Sequence, residues 1–246
     1  MAGQLSEEKL ESVLMQAMMA ANNLRPQRDR LLHLQRRLQQ LSPGDDDADR
    51  IKQLATDLFK VYFIGIEAGA RMLATCIDLA AKNGARLAIN LAFAAMPDDR
   101  LHDALLAQKL PARPTTQTEA FSRVEATFNA VKVAQDHHIP RCIEHLVGER
   151  PPTTVAAYRD LDDQTDLSDT APAADEPPQE AGSRVDLDKA RDYLDRACTL
   201  ASLAVKHIDL AVVVLSSFLD PKKVASLAEF TGKHVYISEE GPYPSD

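Results

Sequence analysis

The chain has 246 residues, 45% of them hydrophobic but only 5% aromatic and none of them Trp. It is long enough to bury a core without metal or disulfide staples, and that core has to be aliphatic. A formal charge of −9 leaves no basic footprint of the kind that nucleic-acid binding needs, so no strong nucleic-acid signal is present.

Cys76, Cys142 and Cys198 are far apart and form no Cys-x-x-Cys pair. They read as reduced thiols of a cytoplasmic protein. The opening MAGQLSEEKLES has neither the basic nor the apolar region of a signal peptide.

In chain order, the first expectation is a helix capped by Ser6 with Glu7 and Glu8 in its first turn. Its apolar face is Leu10, Val13, Leu14, Ala17, Ala20 and Ala21, and it ends near Asn22. Pro26 then opens a second helix carrying Leu31, Leu34, Leu38 and Leu41, stopped by Ser42-Pro43-Gly44. Leu10, Ala17, Leu24, Leu31 and Leu38 share one heptad position, which a coiled coil would also give, but Pro26 in the middle favours an antiparallel helical hairpin. The second helix bears Arg25, Arg28, Arg30, Arg36 and Arg37 against Asp29 alone. Such a basic patch is either a solvated face or a contact for RNA, an acidic membrane surface or an acidic protein segment, the chain's own included.

The longest apolar-periodic run starts at Asp49. Ile51, Leu54, Leu58, Val61, Tyr62, Gly65, Gly69, Met72, Leu73, Cys76, Ile77 and Ala80 fall on one stripe of a central helix that Asn83-Gly84 stops. Gly65, Gly69, Ala70 and Ala74 give that helix a face with almost no bulk. A neighbouring helix can approach closely there, in the core or as an interface for self-association. Lys60, Glu67, Arg71 and Asp78 interrupt the run too often for a membrane span.

Residues 85–96 predict a short buried apolar helix, and Pro97 opens another that runs to about Gln108. Thr116-x-x-Glu119 is a capping box at the start of a long helix with the stripe Phe121, Val124, Phe128, Val131 and Gln135. Pro140 is expected to kink or break that helix before a last piece ending at Gly148.

Between Pro151 and Asp186 nine acids face two arginines, a net of −7, with five prolines and hardly any large apolar side chain. This composition predicts an acidic disordered linker. From Leu187 the helical period returns and becomes apolar all round over 210–219, so that half is expected to be fully buried. Asp220-Pro221 opens a final short helix, and residues 233–246 form an exposed tail with room for a short strand at 234–237. The fold expected is an all-α bundle of five to seven helices: a core at 1–150, the linker at 151–186, helices packing back at 187–232, and the tail.

Phosphate loops, dinucleotide fingerprints, nucleophile elbows, zincin motifs and EF-hand loops are missing from the sequence. His138, Cys142 and His145, spaced i, i+4 and i+7, would align two imidazoles and a thiol as zinc-type ligands on one helix face. The competing reading is a core cysteine between histidines on a polar edge, with no metal and no other cofactor. Arg28, Asp29 and His33 resemble the R-x4–6-H motif of helical HEPN-type ribonucleases, in which Arg and His act together on RNA phosphate. The resemblance implies Arg28 and His33 as a catalytic pair. Weighed together, the sequence favours a non-enzymatic protein-interaction role, as scaffold, adaptor or self-associating bundle, with a protein partner or a second copy.

Overall fold

The heptad spacing of the first forty residues prevails over the proline inside it. In the computed structural model, which describes residues 5–42, 47–85, 98–148 and 185–233, α1 (Glu7–Gln39) is a single helix with Pro26 in its interior. The expected hairpin is therefore corrected to one continuous rod. Leu10, Ala17, Leu24, Leu31 and Leu38 are all buried, so the stripe holds its phase through the proline. Pro inside a helix costs about 3 kcal/mol relative to Ala. Leu24, Leu31, Leu34 and Leu38 are each 4% exposed or less, and burying a leucine contributes about 1.5–3 kcal/mol. Breaking the helix would cost more than keeping it. Ser6 occupies the N-cap position but its hydroxyl makes no cap bond; Leu10 N donates to the Ser6 carbonyl at 2.9 Å instead.

The second rod is α2 (Ala48–Lys60), a π turn (Val61–Ile66) and α3 (Glu67–Lys82) in one line. It stops at Asn83-Gly84, where Gly84 takes φ +88°, a conformation that costs glycine nothing. The rod runs antiparallel to α1. Arg37 pairs with Asp57 at 2.6 Å near one end, and the Cys76 thiol donates to the Val13 carbonyl at 3.6 Å near the other. Between them a Cβ on Gly69 would stand 2.6 Å from Leu24 Cδ2, and one on Gly65 would overlap the Gln27 side chain. Gly65, Gly69 and Ala70 are buried while Ala74 is exposed. The small-residue face is thus filled by α1 of the same chain and is closed to a second copy.

A short helix, α4 (Asp98–Leu106), precedes the third rod, which comprises α5 (Gln117–Val133), a second π turn (Ala134–His138) and α6 (Ile139–Val147). The capping box forms as the sequence specifies: Glu119 N donates to Thr116 Oγ1 and Thr116 N to Glu119 Oε2, both at 3.2 Å. Pro140 does not break the rod. Its ring crowds the carbonyl four residues back and it offers no N–H, and the widened π turn just before it accommodates both. Gly148, at φ +83°, ends the helix.

The fourth rod is α7 (Leu187–Ser216), followed by α8 (Pro221–Gly232). α7 runs antiparallel to α1, with Gln35 donating to Asp195 at 2.7 Å, Arg25 paired with Asp209 at 2.7 Å and Arg191 donating to the Leu41 carbonyl at 2.6 Å. It also packs along α5 and α6, and α3 packs on α5. The four rods therefore form a square in which each is antiparallel to both neighbours, an up-down-up-down bundle without strands among the described residues. α7 completes a core built from leucine and alanine, with Phe121 the one aromatic among its largest fully buried side chains.

The end of α7 departs from the expectation of full burial. Val213 is 67% exposed, and Leu210, Val212 and Val214 are half-buried. In a square bundle each rod has two neighbours, and Val213 falls on the face turned away from both. α7 is also, among the described residues, the one helix long and apolar enough by length and composition to cross a membrane, with half of that window buried in the bundle. The apolar helix expected at 85–96, the acidic linker and the tail strand lie outside the described residues apart from their edges. At the linker's far edge, Asp186 N donates to the His145 carbonyl at 3.0 Å, which holds the start of the fourth rod beside the end of the third.

Two outcomes follow. Pro26→Ala is expected to raise stability in urea by up to about 3 kcal/mol, whereas a hinge at Pro26 would leave the midpoint unchanged. Replacing residues 149–184 with a short Gly/Ser connection is expected to leave the melting temperature within a few degrees, because the loop's ends already meet.

Candidate functional site

Beside the second π turn, the outer faces of the third and fourth rods do not meet flush. α4 borders the gap between them, leaving a cleft of about 320 Å³. His137, His138 and Arg141 line it from one rod and Asp192, Tyr193 and Arg196 from the other, with Asp103 contributed by α4. The two triplets share the spacing i, i+1, i+4, which places three side chains on one edge of a helix.

A row of rings crosses this region. His102 meets His138 edge-on at 5.3 Å between centroids, Tyr193 lies 6.2 Å from His138, and His145 stacks on Tyr193 at 5.5 Å and 12°. His138 is 3% exposed, and neither of its ring nitrogens has a hydrogen-bond partner among the described residues. His102 is also buried, with Nδ1 in the same position. Burial, followed by the neighbouring His102 and Arg196, pushes His138 down to about 3, and the opposing pull of Asp192 is smaller. Burial lowers His102 as well. Arg196 holds Asp192 at 3.0 Å and Arg141 holds Glu144 at 3.0 Å.

This chemistry suits recognition better than proton transfer. An imidazole that stays neutral to about pH 3 offers one N–H and one lone pair but is a weak base at neutral pH. The thiols are no more reactive: burial raises Cys76 and Cys198 to about 12 and raises Cys142 too, aided there by Cys198 and Asp195. Such groups remain thiols rather than thiolate nucleophiles.

Of the residues singled out in the sequence, His138 alone lines the cleft. His145 shares its helix face, but the Tyr193 ring sits against both imidazoles, and Cys142 is fully buried in the core. Among the described residues no three His, Cys, Asp or Glu side chains gather as a metal cluster. Arg28 is paired with Asp29 at 2.7 Å, and a five-residue step places His33 about 140° round the helix from it, so the two do not share a face. In the basic patch, Arg25 and Arg37 are paired with Asp209 and Asp57 on neighbouring rods, Arg30 is half-buried and Arg36 is exposed.

Sequence reasoning missed His102, Asp103, Asp192, Tyr193 and Arg196, and also a buried pair elsewhere. Arg123, 3% exposed, donates to His207 Nδ1 at 2.6 Å and to the Pro111 carbonyl, tying the loop before α5 to α7. Because a guanidinium only donates, Nδ1 must accept and the His207 proton sits on Nε2. Burial, then the charge of Arg123, lowers His207 to about 4. The matched i, i+1, i+4 triplets were the one available signal for the cleft.

Both His138 and His207 have folded pKa values below the unfolded value of 6.5. Below pH 6.5 the unfolded chain binds protons that the folded chain refuses, so stability is full above that pH and falls as pH drops. Between pH 6.5 and 4.5, above the usual carboxylate range, each such histidine is expected to remove about 1.4 kcal/mol per pH unit. Urea midpoints measured across this window should show that slope, and His138→Phe should lessen it by one histidine's share.

Comparison of the chain with known protein families, characterised proteins and solved structures finds no match.

Proposed function

We propose that this chain is a non-enzymatic helical interaction module, a scaffold, adaptor or self-associating bundle. It works in the cytoplasm by contact with another protein chain, a second copy of itself first among them. The observation that carries this reading is the outermost helix. α8 lies along the first half of α1 and buries Thr231 alone of its twelve residues, while Phe230 is 48% exposed and Val224 and Leu227 are half-buried. Among the contacts that hold it, Val224 and Leu227 pack on the core, Lys223 reaches Glu7 at 3.2 Å and Glu11 at 3.5 Å, and Asn22 reaches Thr231 at 3.5 Å. Exposed ion pairs of this kind contribute little.

An amphipathic helix that is only partly buried can take part of its apolar contact from another chain. Val213, exposed on the last turns of α7, adds apolar surface that the bundle itself does not use. The neutral buried imidazoles and protonated thiols favour binding over catalysis. The strongly acidic composition of 151–186 gives a partner with a basic surface a second means of recognition.

Native mass spectrometry and sedimentation at rising concentration test this. The expected result is a dimer or larger species that Phe230→Glu weakens at least about tenfold, near 1.4 kcal/mol, while the melting temperature changes little. A chain that stays monomeric into the millimolar range would overturn self-association.

A further inference from the structure

We infer that the cleft between the third and fourth rods binds a small zwitterion of the amino-acid class, with His138 as its hydrogen-bonding floor. The first support is the isolation of that ring. His138 is 3% exposed, it lines the cleft, and no described residue bonds either ring nitrogen. A buried polar group without a partner destabilises the protein that holds it. Phe would fill similar space without that cost, so the imidazole is accounted for by a polar group arriving from the cleft side.

The second support is charge. Asp103, Asp192, Arg141 and Arg196 all line the same space, two of each sign. A phosphate or nucleotide would bring unbalanced negative charge to a lining without net positive charge. A divalent cation would need convergent donors, and no set of three is present among the described residues. A ligand with one carboxylate and one ammonium matches both signs. Arg196 and Arg141 each hold one carboxylate already, at 3.0 Å, but a guanidinium has more N–H donors than one carboxylate uses. They can therefore take the ligand's carboxylate as well, and Asp103 and Asp192 its ammonium.

Size is the third constraint. At about 320 Å³ the cleft is at the small end of ligand sites, suited to a free amino acid and too small for a dinucleotide. Tyr193, which also lines the cleft, supplies carbon surface for the ligand's own.

The test is scanning calorimetry of the full chain with single amino acids as probes: glycine, L-glutamine, L-glutamate, L-arginine and L-serine, with inorganic phosphate and zinc chloride as controls. A ligand present well above its Kd raises the melting temperature by several degrees. The expected result is such a rise with at least one amino acid, lost in His138→Phe and reduced in Asp192→Asn, and absent with either control. His138→Phe is expected to fold and to melt no lower than the parent chain, which keeps loss of binding separate from loss of structure. The inference is overturned if no amino acid shifts the melt, if the shift survives His138→Phe, or if phosphate or zinc alone produces it. It is independent of self-association, which Phe230→Glu addresses at the other helix.

Discussion

The arrangement of the bundle depends on the contact between α1 and the glycine notch of the second rod. Where Leu24 and Gln27 lie over Gly69 and Gly65, their side chains occupy the space that an added methyl group would need, so the second rod receives α1 side chains in a notch that only glycine leaves open. A core of leucine and alanine without Trp has few large side chains to fill wide gaps. Close-packed interiors are intolerant of voids, and a rod spacing set by small residues is the geometry that this composition can fill. The same level of the bundle carries both π turns. Glu67, at the end of the first, accepts a hydrogen bond from Gln135 within the second. The notch, the two widened turns and the clasp between them thus fix α1, α3 and α5 at one height, and α7 closes the fourth side.

Much of this was legible in the sequence, and the errors have physical causes. Thr116 with Glu119, Asn83-Gly84, Gly148 and Asp220-Pro221 marked helix ends because caps and left-handed stops are local chemistry, decided within four residues. Pro26 was misjudged because the same local logic was applied where packing decides, whereas at Pro140 the α-helix does change, to a π turn just before the proline. A proline penalty of about 3 kcal/mol is smaller than the burial of several leucines in register. The unbroken heptad phase on either side of Pro26 was the better evidence. The end of α7 was misjudged for the opposite reason: an apolar sequence states what a helix can bury, and the number of neighbours in the bundle decides what it does bury.

The cleft was less legible. His138 drew attention through its spacing to Cys142 and His145, but sequence spacing fixes only where Cα atoms lie on one helix. Tyr193, on another rod, places a phenol ring against both imidazoles. The remaining lining comes from three helices separated by long stretches of chain, and nothing in a single sequence says that residues near 103, 138 and 192 are neighbours. Arg123 and His207 were hidden in the same way. Each looks like an ordinary polar residue on a long helix, and only their 2.6 Å contact shows that one is the other's partner.

The two buried histidine sites have opposite logic. Arg123 gives His207 a donor, so that imidazole stabilises the join between α5, α7 and the Pro111 loop, and its low basicity is a by-product of burial first and of the guanidinium second. His138 has burial of the same order but no such donor among the described residues. A rigid bundle needs the first arrangement and is weakened by the second. The difference between them, more than the presence of histidine in a cleft, marks the α4 side of the bundle as a place for binding.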